Sequence, residues 1–234
     1  MDLSVKDVVP QAIHGYNYDL LYSLVAQNSF SDINEKCLID MTEASLLYFA
    51  VEAKNIELVQ LLVCMPEVDV NTTSIIYFID KDEKKRKKKQ RTVLSIAVEK
   101  RNIDILQCLL SRDDIDVNAK DSIILEYIYN VYYEDKKFDL EYKEIKHTAL
   151  YIALKNGNNI IVNQLLQKSG IDVNYQYGYY WHSPSHGEHK YEITAMTTAI
   201  ENGNIDIVRS LLSKSDLDIN LRSSFDEGEN VKSS

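Results

Sequence analysis

Short apolar stripes recur in pairs along this chain. In residues 56–63 the apolar side chains fall as two couples one helical turn apart, Leu58/Val59 and Leu62/Val63. The spacing returns at Ile105/Leu106 and Leu109/Leu110, at Ile161/Val162 and Leu165/Leu166, and at Ile207/Val208 and Leu211/Leu212. Positions i, i+1, i+4 and i+5 share one helical face, so each stretch predicts a short helix with one buried stripe. Upstream of each lies a second apolar stretch centred on alanine: LLYFAVEAKN, VLSIAVEKRN, ALYIALKNGN and AMTTAIENGN. A hydroxyl residue precedes each one (Ser45, Thr92, Thr148, Thr194), where an N-cap satisfies an orphan amide. Gly157 and Gly203 end two of these first helices, where a positive φ favours glycine. Lys54 and Arg101 hold that place in the other two and predict a strained or altered turn.

The paired helices form a repeat. Full copies span 46–71, 93–118, 149–174 and 195–220, each closing on D-[VI]-N, and a weaker copy, AIHGYNYDLLYSLVAQNSFSDIN, spans 12–34. The anchoring alanines Ala12, Ala50, Ala97, Ala153 and Ala199 are 38, 47, 56 and 46 residues apart. From alanine to closing asparagine the last four copies agree at 21 residues, so the unit is rigid and insertions fall between units. One helix pair cannot enclose a core, and the copies must stack.

The pattern T-x-L-x-x-A-x-x-x-G-N-x-x-I-V-x-x-L-L…D-V-N resembles the ankyrin repeat over roughly residues 7–220. The family's T-P-L-H opening is degraded: Val93, Ala149 or Ala195 replaces proline, and Ser95, Tyr151 or Thr197 replaces histidine. The ending SRDDIDVN is similar to endings common in arrays of unicellular eukaryotes. The resemblance implies an all-α repeat fold, an ankyrin solenoid of helix-turn-helix units with elongated β-hairpin fingers. It also implies a non-catalytic scaffold or adaptor, with an unidentified protein docked on the concave side formed by first helices and hairpin tips. On this reading residues 1–40 are an N-terminal capping repeat and 41–220 hold four repeats. Fingers are inserted at 72–91, 119–147 and 175–193, and a polar tail occupies 221–234. Arg209, Ser210 and Lys214 suit the last second helix to solvent, unless the natural chain continues.

The links between units run to about 20, 29 and 19 residues, long for a unit of about 33. Each has a β-branched or aromatic outgoing arm: Ile75–Ile79, Ile123–Tyr133, and the alternating Tyr177, Tyr179 and Trp181. Polar turns follow, at Glu134–Lys137 and at Ser183–Gly187. Isolated hairpins are marginal in water, so the fingers are expected to pair edge to edge or pack aromatic faces. Aromatic hairpin edges also allow self-association between chains.

Charge sharpens one finger. The chain carries a net -10, yet Lys84–Arg91 holds seven basic side chains in eight positions. Setting that run aside leaves -10 - 7 = -17, which disfavours nucleic acid as a general partner. Like-charge repulsion predicts a solvated, mobile tip at the run. Its KKRK core resembles a nuclear address or an anion-binding arm, which opens a nucleus-directed regulatory role beside the scaffold reading. The expected location is cytoplasmic, with the nucleus open through that run. Contact with a partner is expected from Tyr77, Lys84, Lys85, Arg86, Lys87, Lys88, Lys89, Tyr127, Tyr129, Tyr132, Tyr179 and Trp181, since aromatic and cationic side chains concentrate binding energy.

Other chemistry is sparse. No phosphate-binding, nucleophile-elbow or zinc motif occurs, and no cofactor, metal or catalytic residue is expected. His182, His186 and His189 cluster in the third finger without a cysteine or fixed carboxylate beside them. Cys37, Cys64 and Cys108 are odd in number and far apart, which fits a reducing compartment; the latter two suit core or near-core thiols. His14 and His147 read as cap or surface residues. Glu52, Glu99 and Glu201 recur at one repeat position and predict a solvated acidic ridge on the concave face. No apolar run approaches the ~18 residues of a membrane helix, and MDLSVKDVVPQ lacks the basic start and apolar core of a secretory signal.

Overall fold

The computed structural model describes residues 3–79, 85–129, 139–183 and 187–226. Two helices open it, α1 (Val5–His14) and α2 (Tyr18–Ala26), followed by the small hairpin β1 (Cys37–Ile39) and β2 (Thr42–Ala44). Helix pairs then alternate with long hairpins. The pairs are α3 (Leu46–Glu52) with α4 (Ile56–Val63), α5 (Val93–Glu99) with α6 (Ile103–Leu110), α7 (Ala149–Lys155) with α8 (Asn159–Gln167), and α9 (Ala195–Glu201) with α10 (Ile205–Leu212). The hairpins are β3 (Thr73–Ile79) with β4 (Lys85–Thr92), β5 (Lys120–Tyr129) with β6 (Asp139–Thr148), and β7 (Tyr177–Ser183) with β8 (Gly187–Ile193); β9 (Ser224–Asp226) comes last.

Sequence-predicted stripes and caps account for the helices. Leu58, Val59, Leu62 and Val63 are buried, as are Ile105, Leu106 and Leu109, and Ile161, Val162, Leu165 and Leu166. In α10 only Ile207 and Leu211 are buried, because no further helix pair covers that side among the described residues. Of the residues expected to suit α10 to water, Arg209 is exposed beside Asp206, and Ser210 and Lys214 are half-exposed and also bond to the preceding unit. The Ser210 hydroxyl donates to Asn163 and Lys214 reaches back to the Leu166 carbonyl. All five anchoring alanines are buried, so stacked first helices approach closely. Ser45, Thr92, Thr148 and Thr194 cap the first helices, each side chain accepting the amide three residues on.

The turn between paired helices is uniform. Tyr16, Lys54, Arg101, Gly157 and Gly203 all have φ between 54° and 65°. Lys54 and Arg101 thus adopt the glycine conformation rather than a different turn, at a steric cost of about 1 kcal/mol each. The asparagine that follows (Asn17, Asn55, Asn102, Asn158 or Asn204) caps the second helix through its side-chain oxygen, a role beyond the helix-ending one read from sequence.

The hairpins do not stand apart. All nine strands form one antiparallel sheet in chain order, β1 through β9. The structure is therefore not all-α: the helical solenoid carries a continuous sheet along one side. Finger-to-finger pairing is extensive, with Lys85–Gln90 of β4 against Ser122–Tyr127 of β5, and Tyr142–Lys146 of β6 against Gly178–His182 of β7. The finger flanks that could have paired between chains are taken up internally. The sheet ends in two three-residue strands, β1 and β9.

Adjacent repeats are also bolted at their closing turns. Asn71 donates its side-chain amide to the Asp114 carbonyl at 2.8 Å and accepts the Asp116 amide at 2.7 Å. Asn34, Asn118 and Asn174 bridge to the following unit in the same way. A cation after the second helix adds a clasp. Arg112 donates to the Val63 and Met65 carbonyls, Lys168 to those of Leu110 and Arg112, and Lys214 to that of Leu166. The Val63, Leu110 and Leu166 carbonyls lie in the last turns of α4, α6 and α8, where intrahelical partners run out, and those of Met65 and Arg112 lie two residues past the helix ends.

Replacing Asn118 with alanine removes both bridges to the next unit. Stability should fall by roughly 1–2 kcal/mol in urea denaturation. Asn220→Ala, at the last closing turn, where no bridge exists among the described residues, should change it by less than about 0.5 kcal/mol.

Candidate functional site

The first helices and one face of the sheet enclose a groove. Strand register assigns residues to its two sides, because directly paired residues share a face. One rung runs Ile76–Lys89–Ile123–Ile145–Tyr179–Tyr191. Lys89 and Ile123 line a cavity of about 220 Å³ with Glu99 of α5 and with Tyr151, Ile152, Lys155 and Asn156 at α7. This rung therefore faces the helices. The alternate rung, Tyr77–Lys88–Ile124–Glu144–Tyr180, lies on the opposite face.

This sorts the expected contact residues. Lys85, Lys87, Lys89, Tyr127, Tyr129, Tyr179 and Trp181 occupy register positions on the groove face; Tyr77, Arg86 and Lys88 occupy the other. Tyr77 is exposed, and its hydroxyl donates to Glu43 at 3.4 Å. Lys84 and Tyr132 lie outside the described residues, as do Glu134–Lys137, His186 and the tail beyond residue 226. The basic run is not a mobile tip from Lys85 on. It is a strand paired on both sides, and it ends in the buried Arg91. Strand pairing overrides the like-charge repulsion because each lysine's direct neighbours are uncharged: Lys87 lies between Phe78 and Leu125, Lys88 between Tyr77 and Ile124, Lys89 between Ile76 and Ile123.

Arg91 anchors the base of the groove. Its guanidinium donates to Asp121 at 3.0 Å, with the two side chains 6% and 5% exposed, and also contacts Glu99. Asp121 further accepts the Thr92 amide at 2.8 Å and the Thr92 hydroxyl at 3.3 Å. One carboxylate thus joins β4, β5 and the cap of α5. Burial pushes its pKa up, against the pull of Arg91 and the Thr92 amide.

Beside this pair the side chains form an aromatic run. His147 lies 4.6 Å from Tyr151, Tyr151 stacks at 4.4 Å on Tyr177, and Tyr177 meets Tyr175 edge-on at 5.2 Å. Tyr177 is fully buried and accepts from Thr148, the cap of α7, at 3.3 Å; burial pushes its phenol pKa up. His147 is thus a half-buried groove residue and not a cap or surface one. Burial, then the charges of Lys155, Lys89 and Arg91, lower its pKa to about 4, so the ring is neutral at pH 7. Burial, followed by Arg91, also lowers the pKa of Lys89.

The expected acidic ridge is largely neutralised. Lys100 pairs with Glu52, Arg91 pairs with Glu99, and the third copy carries Lys155 at that position. Of the cysteines Cys37 is buried and Cys108 half-buried, but Cys64 is exposed rather than near the core, because it caps the end of α4. No group of three or more His, Cys, Asp or Glu residues is arranged to hold a metal ion among the described residues. Asp121 escaped the sequence reading, and Arg91, Tyr151 and Tyr177 were noted there for other reasons, not as residues that meet in one groove. The available signal was positional: Arg91 and His147 directly precede the capping Thr92 and Thr148, and Tyr151 follows Thr148 by three.

The family model described as Ankyrin repeats (3 copies) matches residues 11–121 and 124–223. No curated protein matches the chain.

Two outcomes test the groove's construction. Asp121→Ala leaves the buried Arg91 with Glu99 as its carboxylate partner and the Thr92 amide without its acceptor, and should cost about 3 kcal/mol, whereas Arg91→Met/Asp121→Leu should cost clearly less; urea melts of the singles and the double decide this. The second concerns pH. The pKa of His147 is depressed when folded, so as pH falls the unfolded chain binds the proton first. Stability should therefore drop between pH 6.5 and about 4, by at most about 3 kcal/mol, and this share of the loss should be absent in His147→Phe.

Proposed function

The chain belongs to the ankyrin repeat family, and from that premise we propose that it is a non-catalytic scaffold that holds a segment of a partner protein in the groove between its first helices and its nine-stranded sheet. Ankyrin repeats are in general protein-interaction modules. The observation that carries the reading here is the continuous sheet. Pairing of neighbouring fingers turns what would be separate hairpins into one wall, with Lys89, Ile123 and His147 on the side facing α5 and α7. A wall fixed by backbone hydrogen bonds presents side chains with little ordering left to do on binding, which favours affinity. Tyr127, Tyr179 and Trp181 hold groove-face register positions, and aromatic residue types at such positions favour partner binding. Among the described residues no helix is long and apolar enough to cross a membrane.

A photo-crosslinking amino acid placed at Asn156, which lines the groove, should capture a protein from a source-cell lysate. The same group at Ile160, exposed on α8, should capture none. Capture only from Ile160, or from neither position, would overturn the groove as the docking face.

A further inference from the structure

The cavity at the centre of the groove has a charge imbalance that its own residues do not resolve. Arg91 contacts both Asp121 and Glu99, so the five charged side chains of the lining sum to one surplus positive charge. Lys89 and Lys155 line the same cavity, and neither makes a hydrogen bond or ion pair among the described residues. The other walls are apolar or neutral: Ile123, Ile152, Tyr151 and the uncharged ring of His147. Half-buried Lys89 and exposed Lys155 therefore bring that surplus charge together at the recess, in a chain whose net charge is -10. Opposite charges pair in buried sites because an unpaired one costs more there than in water.

We propose that this cavity is an anion pocket that receives a glutamate or aspartate side chain from an extended acidic segment of the partner protein, with the Lys89 and Lys155 ammonium groups as its donors. The proposal rests on the groove as the protein-binding face and names the chemistry of what enters it. Ile123 and Ile152 provide an apolar wall for the methylenes of the incoming side chain, and Asn156 adds an amide at the mouth. A peptide carboxylate fits better than a nucleic-acid backbone. The recess offers one surplus positive charge beside apolar walls, and the chain as a whole is acidic, which disfavours a continuous line of phosphates. Register places Lys87 and Lys143 on the same face one rung further out, where neighbouring acidic residues of an extended segment would lie.

The test uses the full chain and fluorescein-labelled dodecaglutamate, read by fluorescence anisotropy at low ionic strength, where such pairing is least screened. Binding is expected, with affinity falling roughly tenfold in Lys89→Met and again in Lys155→Met, and little change in Lys36→Met outside the groove. A second readout follows the His147 imidazole by NMR. Its neighbours are Lys155 and Tyr151 from α7, Lys89 and Arg91 from β4, Asp121 from β5 and Glu99 from α5. An added carboxylate offsets the lysines, so saturating peptide should raise the His147 pKa from about 4 toward 6.5. The proposal is overturned if dodecaglutamate fails to bind, if the lysine variants bind it equally well in spite of native melting curves, or if a twelve-nucleotide oligothymidylate binds at least as tightly. It is also overturned if the His147 pKa stays fixed on saturation. Should a protein still cross-link at Asn156 in the Lys89→Met/Lys155→Met variant, the scaffold reading stands and the anion pocket alone falls.

Discussion

Two spacings agree in this molecule, and the architecture depends on that agreement. Packed helices lie about 8–10 Å apart, and neighbouring strands about 4.8 Å. A hairpin contributes two strands, so one hairpin per helix pair advances the sheet by about 9.6 Å, the distance by which one helix pair advances the solenoid. The stacking that closes the helical core thus brings each finger within hydrogen-bonding distance of the next. The asparagine bridges and the Arg112, Lys168 and Lys214 clasps hold that advance constant from one unit to the next. Without it β4 could not pair with β5, nor β6 with β7.

Pairing on both sides then determines what the basic run can be. Side chains alternate across a strand, so the run divides between two faces, with Lys85, Lys87, Lys89 and Arg91 on one and Arg86 and Lys88 on the other. Charges on the same face are about 6.8 Å apart along the strand. Only where the strand reaches the helices does the environment become dry enough to demand a partner, and there Arg91 finds Asp121 and Glu99. One run of like residues therefore holds both a structural cation, Arg91, and a half-buried lysine, Lys89, that makes no ion pair among the described residues.

The helix pairs and their caps were legible in the sequence because their signals are local. Apolar spacing, a hydroxyl before each first helix and a D-[VI]-N close sit within one unit. The sheet was only half legible. The β-branched and aromatic arms marked the strands, but the register between fingers is set by repeat stacking, which no finger encodes. The site was less legible still. Asp121 meets Arg91 from 30 residues away, and Tyr177 meets Thr148 from 29. His147 read as isolated because Tyr151, one turn into the next helix, and Lys89, on another finger, become its neighbours only once β4, β5 and β6 are side by side. At Lys54 and Arg101 the residue types argued for a strained or altered turn, and of the two the turn is the strained one: the Asn55 and Asn102 caps and the stacked helices on either side impose the common conformation.

Long fingers also cost less in this arrangement than in a single repeat. A free hairpin exposes two edges of unpaired backbone, and each added residue lengthens both. In the continuous sheet, facing edges of neighbouring fingers satisfy each other, so added length there is matched by added pairing. Among the described residues, edge protection falls to the terminal strands, β1 and β9, each three residues long. Residues added to a finger extend the groove wall away from the helices without disturbing the alanine-centred core beneath. Insertions are therefore tolerated between the units and absent within them: a repeat must keep its advance constant to stack, whereas a finger must only keep pace with its neighbours.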